Sequence, residues 1–232
     1  MSQILQCKVE TVTPLTEFVY RVKLRCQTPV EFAAGQYLQL CITERDKRPF
    51  SIASVPGDNV IELHIGASTR DGKAMEVIHF LQVNRDIQVE LPLGDAQLRQ
   101  PLARPIILVI GGTGFSYARS IVGELLKQPL SQPVYLYWGG RDRRSLYLAP
   151  LAQQWAQQTP HFHFIPVLEN PPSGWQGKQG KVHEAVLEDF VSLDSYDVYV
   201  AGPFEMAGVV RAAFARQGLH PDHLYGDAYA FI

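Results

Sequence analysis

Arg48, Phe50 and Ser51, with Pro49 among them, form a short stretch whose residue types suit a flat ligand. Alternate side chains of an extended segment point to opposite faces, so Arg48 and Phe50 lie on one side and Ser51 on the other. A guanidinium, an aromatic plane and a hydroxyl can then surround a single planar molecule. The alternative interpretation is an ordinary strand with an exposed arginine.

A second stretch joins a predicted buried strand at residues 106–110 to a helix that is predicted to begin near Ser116. The connection at residues 111–114 is rich in glycine, which allows a sharp turn and a close approach to a ligand. Unpaired N–H groups at the start of a helix suit a phosphate. The alternative here is a tight turn that binds nothing.

Ala201, Gly202 and Pro203 form a second turn of the same kind, after a predicted strand at 197–201. Proline suits the first helical position and leaves amide donors facing the carboxyl edge of the sheet. Two such turns at one sheet edge predict a crevice for an extended anionic ligand.

The glycine turn departs from the usual dinucleotide fingerprint. Tyr117 replaces the third glycine, and the second predicted strand ends in Trp138, Gly139, Gly140 and Arg141, with no acidic residue to hold a ribose diol. An ordinary Rossmann dehydrogenase is therefore disfavoured.

The elements that position these stretches change character near residue 100, which predicts two domains, residues 1–100 and 101–232. The first domain is predicted to be an all-β unit, a small barrel or a sandwich, interrupted by one helix at 71–81 that Asp71 can cap. The second reads as an α/β domain with a parallel sheet. Strands are predicted at 5–12, 18–24, 35–42, 49–53, 60–65 and 87–91, then at 106–110, 133–138, 162–167 and 197–201. Helices are predicted at 116–127, 146–157, 181–190 and 203–217. The loop at 170–180 is predicted to be mobile because it is rich in proline and glycine.

Composition excludes further classes of function. The chain has 232 residues and a net charge of −2 with both signs interspersed, so no basic surface for nucleic acid or an anionic membrane is predicted. Its apolar runs are strand-sized and no signal segment is recognisable, which predicts a cytoplasmic protein. Cys7, Cys26 and Cys41 are expected to be buried reduced thiols.

No metal site is predicted from the histidines. The pair His161 and His163 and the pair His220 and His223 each lack an obvious third ligand nearby. Hydrolase and NTPase motifs are also missing from the sequence.

Together these stretches resemble motifs of the ferredoxin-NADP reductase superfamily, most closely those of bacterial NAD(P)H:flavin oxidoreductases. Residues 48–51 match its Arg-x-Tyr-Ser flavin motif, residues 111–114 its nicotinamide-side glycine loop, and residues 201–203 its Cys-Gly-Pro turn. Residues 225–232 look like the aromatic C-terminus of flavin reductases, so the resemblance covers the whole chain. It implies an antiparallel β-barrel domain that binds flavin at residues 1–100, followed by an α/β parallel-sheet domain that binds NADH or NADPH at residues 101–232.

Two departures from the superfamily pattern matter. Phe50 stands where tyrosine is usual and so lacks a hydroxyl for the ribityl chain, and Ala201 stands where a cysteine often approaches the nicotinamide. The cysteine cluster of some multicomponent reductases is also missing, so no iron–sulfur centre is expected.

The resemblance implies roles for individual residues, with Ser51 as the catalytic residue near flavin N5. Flavin contacts are implied for Arg48, Pro49, Phe50, Ser51, His64, Ile65 and Phe231. Contacts with NADH or NADPH are implied for Gly111, Gly112, Thr113, Gly114, Phe115, Ser116, Gly139, Arg141, Ala201, Gly202 and Pro203.

The implied reaction is hydride transfer from nicotinamide C4 to flavin N5, with riboflavin, FMN or FAD as a diffusible substrate. Reduced flavin would then serve other acceptors, among them a flavin-dependent protein. One alternative is an electron-transfer subunit with bound FAD that serves an oxygenase or an iron–sulfur partner. Another is a non-catalytic nucleotide-binding protein that kept the fold.

Three arginines bear on the choice of nicotinamide nucleotide. Arg141, Arg143 and Arg144 follow the second strand of the α/β domain, where the adenine ribose of such nucleotides usually lies. Contact with a 2′-phosphate would let the protein accept NADPH as well as NADH; the alternative is a solvated charge run.

Overall fold

The computed structural model of the chain describes residues 2–28, 30–67 and 72–232. The chain folds into two compact units. The barrel unit comprises the residues up to Leu98 together with Arg119–Glu124, and the sheet unit comprises Arg99–Ala118 and Leu125–Ile232. The predicted boundary near residue 100, and the ligand assigned to each side of it, stay predictions.

The barrel unit is an antiparallel sheet with a helix between its fifth and sixth strands, as the sequence predicts. Its strands are β1 (Gln3–Pro14), β2 (Val19–Cys26), β3 (Tyr37–Cys41), β4 (Lys47–Ser51), β5 (Val60–Gly66) and β6 (Asp86–Leu93), and its helix is α1 (Gly72–Val83). The strand order is β4-β3-β6-β1-β2-β5, and a bridge between Ile52 and Leu63 joins the two outer strands. The predicted cap Asp71 lies outside the described residues.

Apolar residues at alternate strand positions fill the barrel. Val22, Leu24, Leu38, Leu40, Ile61, Leu63, Ile65, Val89 and Leu91 are all buried in one core with the apolar face of α1. The period of two in the sequence produces this arrangement, because successive side chains of a strand point to opposite faces.

The sheet unit is parallel and has helices between its strands. Its strands are β7 (Ile106–Gly111), β8 (Val134–Gly140), β9 (Phe162–Leu168), β10 (Lys178–Gln179), β11 (Asp197–Ala201) and β12 (Leu224–Tyr225). Its helices are α2 (Phe115–Leu125), of which residues 119–124 belong to the barrel unit, α3 (Ala149–Gln158), α4 (Val182–Asp189) and α5 (Phe204–Arg216). Short 3₁₀ turns occupy Gly112–Gly114, Arg143–Ser145, Pro221–His223 and Asp227–Ala230.

In the strand order β10-β9-β8-β7-β11-β12, the strands from β8 to β10 lie on one side of β7, and β11 and β12 lie on its other side. The chain runs outward from β7 through β8 and β9, then returns to place β11 on the other side of β7. In open parallel sheets, ligands bind outside the carboxyl ends of the strands at such a switch point. A ligand is therefore expected at the turns that follow β7 and β11.

Two details differ from the sequence-based expectations. Helix α3 begins at Ala149, three residues later than predicted, because a 3₁₀ turn capped by Asp142 occupies residues 143–145. The two-residue strands β10 and β12 were not predicted. The loop at 170–180 contains β10, which pairs with β9, and a hydrogen bond of 3.0 Å from Trp175 Nε1 to the Lys178 carbonyl; its mobility stays a prediction.

The expectation of three reduced thiols was wrong for two of them. Cys7 and Cys26 lie directly opposite each other in the antiparallel β1–β2 pair, with their Cα atoms 4.3 Å apart, and form a disulfide. Such pairing depends on strand register, which cysteine spacing does not reveal. Cys41 is a free cysteine of intermediate exposure.

Among the residues that the structure describes, no helix is both long and apolar enough to cross a membrane. Within the same residues, no group of three or more His, Cys, Asp or Glu side chains is arranged to hold a metal ion.

Candidate functional site

Residues 48–51 lie in β4, and the Ser51 hydroxyl and the Arg48 guanidinium lie on opposite faces of this strand. In the pairing with β3, Arg48 and Phe50 face the buried leucines of β3, whereas Ser51 lies opposite Tyr37. Phe50 packs against the barrel core, and Ser51 is half-buried at the end of the strand. The alternation follows from the period of two in an extended segment.

Arg48 already has partners within the barrel unit. Its Nη2 lies 2.8 Å from Asp46 Oδ2, and its Nε binds the other carboxylate oxygen, so the two side chains form a two-point ion pair. Its Nη1 donates to the Lys73 carbonyl at 3.4 Å, which links β4 to the first turn of α1. The hydrogen bond from Arg48 lowers the pKa of Asp46, so this partner stays negative at neutral pH.

His64 and Ile65, both implied flavin contacts, have buried side chains. Ile65 points into the barrel core, and the imidazole of His64 points the other way, where its Nε2 lies 2.9 Å from Glu62 Oε1. Any contact of these two residues with a flavin would therefore come from their main-chain atoms.

The glycine turn of the sheet unit follows β7 at the switch point of the sheet. Residues Gly112–Gly114 form a 3₁₀ turn that leads directly into α2. Gly112 has a φ of +52°, and a Cβ placed there would meet no heavy atom within 4 Å, so the loop faces open space at this residue. A helix N-terminus beside open space offers amide donors to an anion.

The side chains beneath the turn hold it in place. The ring of Phe115 stacks on Trp138, with centroids 4.0 Å apart, and Trp138 Nε1 donates to the Gly112 carbonyl at 3.0 Å. Ser116 Oγ donates to the Thr113 carbonyl at 3.0 Å. Phe115 and Ser116 are among the implied nucleotide contacts, but their side chains are buried beneath the loop and stabilise it.

The turn after β11 lies directly against the glycine turn. A Cβ added to Gly114 would lie 2.3 Å from the Ala201 carbonyl oxygen, and one added to Gly111 would lie 2.9 Å from Met206 Sδ. The register pairs Ile110 with Ala201, so both turns leave the sheet at one level. The structure therefore brings together the residues predicted at 111–114 and 201–203.

Gly139 and Arg141 lie at the end of the neighbouring strand β8. Gly139 lies against Val182 of α4, and Arg141 is exposed. Arg144 Nη2 binds Asp142 Oδ2 at 3.0 Å, and this hydrogen bond lowers the pKa of Asp142, whereas Arg143 is exposed.

The C-terminal residues fold back on the sheet unit. Tyr225 stacks on Tyr199, with centroids 4.8 Å apart, and the Tyr229 hydroxyl donates to the Ala207 carbonyl at 3.2 Å. Phe231 is 70% exposed and lies beside Phe204, with centroids 6.0 Å apart. Its implied flavin contact stays a prediction.

Comparison with known proteins agrees with this architecture. Residues 108–212 match the model of the oxidoreductase NAD-binding domain family. The chain is 44% identical to an NAD(P)H-flavin reductase of Vibrio harveyi, over 98% of this chain and 99% of that protein. This chain belongs to the NAD(P)H-flavin reductase family.

Two further comparisons support the family and its fold. An NAD(P)H-flavin reductase of Aliivibrio fischeri is 45% identical, over 98% of this chain and 99% of its own length. The crystal structure of a ferredoxin NADP⁺ reductase from Neisseria gonorrhoeae with bound FAD and NADP superimposes with a TM-score of 0.77 at 17% identity, covering 93% of this chain and 92% of that one. The ferredoxin-NADP reductase fold predicted from the sequence is thus confirmed.

One ion pair of the barrel unit was not predicted from the sequence. Glu62 and Arg119, 57 positions apart in the sequence, form an ion pair of 3.4 Å beside His64. The acidic residue Glu62 within an apolar strand pattern was the one available signal, since a buried carboxylate needs a partner.

Proposed function

We propose that this flavin reductase family member catalyses the reduction of free flavins by NADH or NADPH. The near full-length match to two NAD(P)H-flavin reductases carries the proposal. The glycine turn, open at Gly112 and adjoining the second turn at the switch point of the sheet, supports binding of a nucleotide.

In this proposal the protein binds and orients two small molecules, while the nicotinamide and the flavin supply the hydride chemistry. The amides at the start of α2 bind the nucleotide's phosphates, and the glycines permit their close approach. Ser51 donates its hydroxyl proton in a hydrogen bond to flavin N5. Phe50 and Arg48 contact the flavin from β4.

The flavin is a diffusible substrate in this proposal. A firmly held FAD needs donors for its pyrophosphate, and the Arg48 guanidinium is already bound to Asp46. Reduced flavin leaves the protein and serves other acceptors, including flavin-dependent proteins. A cytoplasmic location stays part of this prediction.

The decisive experiment measures NADH and NADPH oxidation at 340 nm by the purified protein, with riboflavin, FMN or FAD added and no partner protein present. We expect rates that saturate with riboflavin and with FMN. A protein that oxidises no NADH or NADPH with free flavin, yet reduces an iron–sulfur acceptor through bound FAD, would establish the electron-transfer alternative.

A further inference from the structure

A buried ionic cluster lies on the outer face of β5, within the barrel unit. Ile61, Leu63 and Ile65 point into the barrel, whereas Glu62 and His64 point away from it and are nevertheless 7% and 4% exposed. Burial of a carboxylate is costly unless charged or hydrogen-bonding partners surround it.

Glu62 has three such partners. Its Oε1 lies 2.9 Å from His64 Nε2 and 3.2 Å from Arg21 Nε, and its Oε2 lies 3.4 Å from Arg119 Nη2. Burial by itself would raise the pKa of Glu62, but the hydrogen bond from His64 and the two guanidinium groups lower it below its usual value. Glu62 is therefore ionised at neutral pH.

Burial also lowers the pKa of His64, so its imidazole is neutral at neutral pH. Because its Nε2 faces a carboxylate that can only accept, Nε2 must carry the ring proton. His64 thus orients one oxygen of Glu62 and leaves the other for Arg119.

The cluster holds the main chain that follows Ser51. Arg119 Nη1 donates to the Ala53 carbonyl at 2.7 Å, and the Ala53 amide donates to the Glu62 carbonyl at 2.7 Å. Ser54 is held in the same way, since its hydroxyl accepts from the Glu62 amide at 3.1 Å and its carbonyl accepts from Ser120 Oγ at 2.8 Å.

The main chain at Ala53 and Ser54 is therefore held in place, with both the amide and the carbonyl of Ala53 hydrogen-bonded, two residues after the proposed flavin-contacting hydroxyl. A hydroxyl acts as a positioned donor only when its main chain is held to within a fraction of an ångström. The fork of Arg119 suits this task, because one guanidinium can bind the carboxylate and the carbonyl at once.

We propose that Glu62 and Arg119 are positioning residues, which fix the main chain at Ala53 and Ser54 and thereby hold the Ser51 hydroxyl in place for the reaction. This inference rests on the proposed function. Neither residue needs to touch the flavin.

The first test uses flavin-free protein and needs no activity. Hydrogen exchange of the Ala53 amide is followed by NMR in the wild type, in Glu62→Gln and in the milder variant Arg119→Lys, which keeps the charge but loses the fork. We expect exchange about tenfold faster in both variants. Glu10→Gln is the control, because the ion pair of Glu10 is with Arg25, on β1 and β2.

The second test is a double-mutant cycle on kcat with Ser51→Ala. Arg119→Lys alone should lower kcat about tenfold and leave the KM for NADH within about twofold, but it should add little in the Ser51→Ala background. A purely structural role would lower kcat by the same factor in both backgrounds.

Faster exchange at Ala53 together with a non-additive cycle supports the proposal. Unchanged exchange, or equal factors in the two backgrounds, overturns it while leaving flavin reduction intact. A wild-type protein that reduces no flavin overturns the proposed function instead.

Discussion

Arg48 and Asp46 set the electrostatics at the start of β4. The guanidinium is neutralised through two contacts with a carboxylate that stays ionised, so an incoming phosphate would have to compete with Asp46 for it. An uncharged flavin ring does not face this competition. If Arg48 contacts the flavin as proposed, this ion pair would favour recognition of the ring over recognition of a pyrophosphate.

The role of Ser51 can be tested by removing its hydroxyl. Ser51→Ala should lower kcat by roughly ten- to a thousandfold, the range for losing one positioned donor, with a smaller change in flavin affinity. Steady-state kinetics and flavin titration measure the two quantities. Ser195→Ala, which removes an exposed hydroxyl bonded to Asp194, is the control. An unchanged kcat would remove Ser51 from the mechanism.

Nucleotide preference can be tested at the arginines after β8. Because Asp142 engages Arg144, the exposed Arg141 and Arg143 are the better candidates for a 2′-phosphate. The double variant Arg141→Ala/Arg143→Ala should lower kcat/KM for NADPH about tenfold or more relative to NADH. Arg216→Ala, at the end of α5, serves as the control. If the ratio of kcat/KM for NADPH to that for NADH does not change, these arginines are solvated surface charges that do not contact the nucleotide.

At the scale of elements, local patterns were enough to predict most of the molecule. The alternation in β5 and the apolar run of β7 each contain the signal for their own strand. The short strand β10 carries no such signal, since two residues have no period, and it forms only because β9 offers an edge. The Cys7–Cys26 disulfide depends on strand register, and the Glu62–Arg119 ion pair depends on a helix residue lying against β5. No local pattern contains either contact.

The two adjoining turns give a prediction about the sheet unit. Gly114→Ala would force a Cβ to within 2.3 Å of the Ala201 carbonyl oxygen, so one turn must move. We expect a loss of about 1–3 kcal/mol in the free energy of unfolding, together with weaker NADH binding. Chemical denaturation and nucleotide titration measure these effects.

Gly72→Ala is the matched control for this substitution. Gly72 begins α1, and a Cβ there would meet no heavy atom within 4 Å. Alanine should be neutral or slightly stabilising at this position. Equal stability of the two variants would show that the Gly114–Ala201 contact is not tight in solution.

For the whole molecule, the engagement of Arg48 by Asp46, which leaves this guanidinium less available to a pyrophosphate, predicts a protein that purifies nearly colourless. Flavin should bind at about micromolar strength, and riboflavin and FMN should both serve as substrates. Absorption near 450 nm after gel filtration measures retained flavin. A yellow protein that retains stoichiometric FAD would contradict free-flavin reduction and support the electron-transfer alternative.

With Cys7 and Cys26 joined, Cys41 provides a single attachment point for a thiol-specific fluorophore on the folded, oxidised chain. Burial raises the pKa of its thiol, so alkaline conditions will speed the coupling. Cys41 lies on β3, directly opposite Lys47 and one residue pair from Arg48. If the flavin binds at β4 as proposed, a dye placed there would report its arrival by quenching, and so would time the binding step separately from the chemistry.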